Sequence, residues 1–96
     1  MLLKPLSNGK ISGTGTVSLG VDAAGGILGA VLISADGTNS AVVILRKDNA
    51  AGQKLFDFDT ITSQMVIAPI QMDGTITLYY DITGTGAKAM LYEWVT

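Results

Sequence analysis

TITLYYDITGTGAKAMLYEWV, residues 75–95, holds two runs of alternating apolar and polar side chains on either side of a Gly-Thr-Gly turn. In the first run Ile76, Leu78, Tyr80 and Ile82 share one parity, and Thr75, Thr77, Tyr79 and Asp81 share the other. Successive side chains of a strand point to opposite faces, so a period of two marks a half-buried β-strand. Thr83-Gly84-Thr85-Gly86 then turns the chain, and Ala87–Val95 returns as a second strand. Its parities are Lys88, Met90, Tyr92 and Trp94 against Ala87, Ala89, Leu91, Glu93 and Val95.

The same grammar recurs upstream. Ile11, Gly13, Gly15, Val17 and Leu19 alternate with Ser12, Thr14, Thr16 and Ser18, a half-buried strand bent or weakened at its glycines. Residues 27–33, ILGAVLI, form an unbroken apolar run that suits a strand covered on both faces, with a partner chain as one source of cover. Asp36-Gly37 predicts a hairpin from this run to Ala41–Leu45, because Asp-Gly accepts the positive φ of tight β-turns. Asp48–Gly52 closes the next loop, and Gln53–Phe58 follows with Phe56 and Phe58 as core anchors. Ser63–Ile70, limited by Pro69, reads as an edge strand or a crossover between sheets. Val21–Gly26 and Asp73-Gly74 read as further turns.

Residues 1–10, with Pro5 and Ser7-Asn8-Gly9, read as an arm or edge segment. Its Met1, Leu2, Leu3 and Leu6 lie on their own sandwich or reach a neighbouring subunit. Residues 11–96 then form a single domain. No segment of convincing length has a helical period. The expected fold is all-β: an antiparallel β-sandwich or jelly-roll-like small barrel of seven to eight strands.

Composition removes most chemistry. The 96 residues include no histidine and no cysteine, so Ser-His-Asp and Cys-His catalysis, zinc sites of the usual ligands and disulfides are all unavailable. The Gly13-Thr14-Gly15 pattern lacks the further glycine or the Gly-Lys-Ser/Thr of a phosphate loop, so neither a nucleotide nor any other cofactor is expected. Net charge is −2 and Arg46-Lys47 is the one adjacent basic pair, better read as a solvated hairpin flank than as a nucleic-acid stripe. No window approaches a membrane-spanning helix, and residues 1–6 lack a signal-peptide pattern. Hydrophobic residues make up 48% of the chain and charged ones 15%, so some apolar surface is expected to be covered by further copies or a partner.

Two constellations remain. Asp57 and Asp59 share a parity and would be the carboxylates of a glycosidase, or calcium ligands with Asp48 or Asp73, but they lack the alternating oxygen-ligand loop. Asp36, Asp48 and Asp73 sit beside turn residues and are better read as turn formers. Tyr79, Tyr92 and Trp94 suggest an aromatic platform for a sugar or a single strand. Without a basic groove or clustered polar groups, core or subunit-interface packing explains them better. No enzyme is expected.

Residues 11–17 (ISGTGTV), Gly26-Ile27-Leu28, the apolar stretch Ala41–Leu45, Gly52-Gln53-Lys54-Leu55 and residues 84–92 (GTGAKAMLY) cover most of the chain in one order. In that pattern the sequence resembles small virion structural proteins of tailed bacteriophages. The resemblance implies a non-enzymatic β-sandwich that assembles, as a homotrimer, and binds the outer capsid as a decoration or cement protein. Its implied partners are copies of itself and the major capsid protein or another virion protein, with no nucleic acid and no membrane. Its implied location is the virion, assembled in the host cytoplasm. A head-fibre, neck or tail component and a carbohydrate-binding β-module are the alternatives. The candidate oligomer or capsid contacts are Leu2, Leu3 and Leu6 in the arm and Met90, Tyr92 and Trp94 on the last strand.

Overall fold

A strand that is apolar on one parity must cover that face, and the strands here do so by forming two layers. The computed structural model describes residues 2–19, 27–71 and 77–95. The strands are β1 (Leu2–Pro5), β2 (Gly13–Ser18), β3 (Ile27–Ser34), β4 (Ala41–Lys47), β5 (Lys54–Thr60), β6 (Gln64–Gln71), β7 (Thr77–Thr83) and β8 (Lys88–Val95). Sheet A has the order β1-β8-β3-β6 and sheet B the order β2-β7-β4-β5. All neighbours are antiparallel. The molecule is the expected all-β sandwich, and no helix occurs among the described residues.

The pairings are nested. β4 pairs with β5, β3 with β6, β2 with β7 and β1 with β8, as if the chain were folded in half about the β4–β5 loop. The doubled ribbon is then rolled so that β8 also lies beside β3 and β7 beside β4. This is the jelly-roll connection, in which two Greek keys share one core.

The connectivity corrects one expectation. The turns at Asp36-Gly37 and Thr83–Gly86 reverse the chain but make no hairpins: β3 and β8 belong to sheet A, and β4 and β7 to sheet B. Of the sequential strands only β4 and β5 pair, and every other connection changes sheets. The reason is burial. Val31 and Ile33 of β3 and Val43 and Leu45 of β4 are apolar faces that need each other, and they meet across the core rather than side by side. Ser63–Ile70 proves to be an edge strand, β6, of sheet A. The turns expected at Val21–Gly26 and Asp73-Gly74 lie outside the described residues.

The core between the sheets contains Leu28, Val31, Ile33 and Leu91 from sheet A and Val43, Leu45 and Leu78 from sheet B, all fully buried. Each such side chain contributes about 1.5–3 kcal/mol of transfer free energy. Phe56 and Phe58 pack against this cluster from β5, their ring centroids 6.2 Å apart. Ile11 exchanges backbone hydrogen bonds with Ala89 at 2.7 and 2.8 Å, extending the β1 line along β8. At Gly13, with φ +72°, the chain then leaves for sheet B.

Two connections are fixed by local chemistry. The Asp36 carboxylate accepts hydrogen bonds from the Thr38 and Asn39 backbone N–H groups at 2.8 and 2.7 Å and from the Asn39 side-chain amide at 2.8 Å. Gly84 has φ +119°, and a Cβ there would run into the Ser40 carbonyl, so this turn packs directly on the β3–β4 connection.

Leu91→Ala should destabilise the domain by about 2–5 kcal/mol in chemical denaturation, since it opens a cavity where the sheets meet. The hydrogen bonds from Asn39 and Thr38 hold the Asp36 pKa below its ordinary value of 3.8. A pKa lowered on folding means that the ionised carboxylate supports the turn fully above the ordinary value, and that this support is lost as pH falls through the lower folded value. An NMR titration should therefore find Asp36 ionised below pH 3.8, and Asp36→Ala should remove that part of the acid sensitivity of the turn.

Candidate functional site

On β8 the buried side chains Ala89, Leu91 and Glu93 point between the sheets, so Met90, Tyr92 and Trp94 stand on the outer face of sheet A. Residues directly opposite each other in antiparallel strands share a face, and the register therefore extends this stripe across the sheet. One row runs Pro5–Tyr92–Ala30–Ile67 through all four strands. The next runs Met90–Leu32–Met65, and on the other side Leu3 stands beside Trp94. The row beyond Met90, Ser34 opposite Lys88, is polar and ends the patch.

Leu3, Met65 and Ile67 are 41%, 48% and 61% exposed, and Leu32, Met90, Tyr92 and Trp94 are half-buried. Ala30 has no exposed surface yet lies outside the core cluster, because the larger side chains of this outer face cover it. Gly29 sits at a β-bulge between Leu28 and Ala30. A Cβ at Gly29 would come within 2.7 Å of a Leu3 methyl and 3.3 Å of the Trp94 Cβ, so the missing side chain is what lets Leu3 lie down beside the indole.

The outer face of sheet B is different in kind. Its rows are Thr14–Asp81–Ile44–Asp57, Thr16–Tyr79–Arg46–Lys54 and Thr83–Val42–Asp59. Lys54 and Asp57 form an exposed ion pair at 3.0 Å. Arg46 donates from Nη1 to the Gly52 carbonyl at 3.2 Å and so closes the β4–β5 loop.

The structure separates the candidates. Leu3, Met90, Tyr92 and Trp94 come together on the outer face of sheet A. Leu2, 69% exposed, lies on the other parity of β1, opposite Val95. Leu6 packs against the core, its N–H bonded to the Leu91 carbonyl at 2.9 Å. Tyr79 is on the outer face of sheet B, on the opposite side of the sandwich from Tyr92 and Trp94, so the three aromatics make no common platform. Asp57 and Asp59 are exposed on sheet B, and no group of three potential metal ligands occurs among the described residues. Ala30, Leu32, Met65 and Ile67 complete the apolar face without having been singled out by sequence. Their signal was the double parity of the runs at 27–33 and 65–67, which leaves both faces of a strand apolar.

No family model, no curated protein and no solved structure matches this chain.

Gly29→Val should displace Leu3 and loosen β1. Hydrogen exchange at residues 2–6 should speed up while the amides of β3 and β4 keep their protection.

Proposed function

We propose that this protein is a non-enzymatic structural subunit of a tailed-phage virion, an oligomeric decoration or cement protein that binds and stabilises the head. The observation that carries the reading is the contrast between the two outer faces. Sheet B is coated with Asp57, Asp59, Asp81, Arg46 and Lys54, whereas the rows through Trp94, Tyr92 and Met90 hold no charge. An apolar face rimmed by polar residues is the character of a contact surface.

Its size fits the proposed use. Four strands about 4.8 Å apart and five residues along each give a patch on the order of 300 Å². That is less than half of the roughly 800 Å² per partner in a standard stable interface. A contact of this size is modest alone and becomes strong when a closed oligomer repeats it over a shell. Jelly rolls serve both in capsids and in lectins, which supports the virion reading at the level of fold analogy. For a lectin, Tyr92 and Trp94 supply stacking surface, but their neighbours Met90, Leu32 and Ile67 offer none of the polar groups that orient a sugar. A head-fibre, neck or tail subunit would use the same face against another virion protein.

The test is Met65→Lys with Ile67→Lys, two exposed positions where added charge leaves the core untouched. In light scattering the natural chain should run as an oligomer, at a whole multiple of three 9.9 kDa chains for the trimer implied by resemblance, and the variant should run smaller with an unchanged β-sheet spectrum. The natural chain should co-sediment with capsids and the variant should not. A natural chain that is monomeric and ignores capsids would overturn the reading, and a specific glycan-array signal lost with Trp94→Ala would favour the carbohydrate-binding one.

A further inference from the structure

A sheet edge presents a row of backbone donors and acceptors that a foreign strand can pair with, and folded chains blunt such edges with charge, proline or shortness. This sandwich has four edges: β1 and β6 of sheet A, and β2 and β5 of sheet B. β1 is four residues long and contains Lys4 and Pro5. β6 includes Pro69, which has no N–H to give. β5 carries exposed Lys54, Asp57 and Asp59. β2, with the sequence GTGTVS, has neither charge nor proline, and among the described residues nothing pairs along its outer side.

We propose that β2 pairs antiparallel with β2 of a second copy across a two-fold axis, joining two B sheets into one eight-stranded sheet of order 5-4-7-2-2-7-4-5. Parity selects the occupant. A register centred on Gly15 sets Thr14 opposite the partner's Thr16, and one centred on Thr16 sets Thr14 opposite the partner's Ser18. Both keep exposed Thr14, Thr16 and Ser18 on the outer face and Gly13, Gly15 and Val17 on the core side. Threonine pairs across strands are favourable, and the uncharged strand meets its own copy without like-charge repulsion.

The core side of the joint is also prepared. The Tyr80 hydroxyl lies 2.5 Å from where a Gly15 Cβ would stand, so the ring extends under β2 and closes the layer at the edge. The contact uses sheet B alone and stands whether or not the apolar face of sheet A has the partner proposed above.

Sedimentation of the Met65→Lys/Ile67→Lys chain isolates this contact. At about 0.1 mM it should be dimeric, and adding Thr14→Lys and Thr16→Lys should weaken the dimer about tenfold or more, because lysines then face each other across the axis. The cysteine-free chain permits a direct check. Under mild oxidation Thr16→Cys alone should cross-link if the axis passes Thr16, and a mixture of Thr14→Cys and Thr16→Cys chains should do so if it passes Gly15. Thr38→Cys, in the exposed β3–β4 turn, is the control. A monomeric Met65→Lys/Ile67→Lys chain, or cross-linking no faster than the Thr38→Cys control in both arrangements, would overturn the proposal, including the case in which β2 pairs with a different protein.

Discussion

Burial of one aliphatic layer between β3 and β8 on one side and β4 and β7 on the other is the constraint on which the rest of this protein depends. Leu28, Val31, Ile33 and Leu91 leave water by meeting Val43, Leu45 and Leu78, and that requirement sets the sheet membership of the four central strands. The chain has no cysteine to cross-link it, and packing of this core with backbone pairing joins the strands. For a chain of this size that leaves a narrow margin of stability.

The central strands explain why one outer face is apolar. β3 and β8 sit in the middle of sheet A, and both carry apolar side chains on their outward parity as well as their inward one. β4 and β7 occupy the corresponding place in sheet B, where Arg46, Tyr79 and Asp81 stand on the outward parity. The two layers share a core but present different outer faces.

Much of the fold was legible in the sequence. Alternation across residues 77–83 contrasts Leu78 and Ile82 with Thr77, Tyr79 and Asp81, so β7 and its buried parity could be read directly, whereas β8 was legible as a strand but carries large apolar side chains on both parities. Which strands pair could not be read. A turn such as Asp36–Asn39 is specified by a carboxylate and its nearest N–H groups, and those groups reverse the chain equally well within a sheet or between two. The apolar face was half legible for a related reason. Tyr92 and Trp94 stand out against Leu91 and Glu93, but Met65, Val66 and Ile67 are apolar on both parities, and a period of two has no contrast there. The separation of Tyr79 from Tyr92 and Trp94 needed the sheet assignment, which no local pattern contains.

The nested pairing also sets an order of closure cost. Only β4 and β5 meet through a short loop. β3 with β6, β2 with β7 and β1 with β8 then enclose successively longer stretches of chain, each with a larger closure entropy to overcome. Loop-closure cost alone thus ranks the β4–β5 pairing as the cheapest and the β1–β8 pairing as the dearest. β1 closes the longest loop with the shortest strand, so the pairing with the greatest closure cost is secured by the fewest backbone hydrogen bonds.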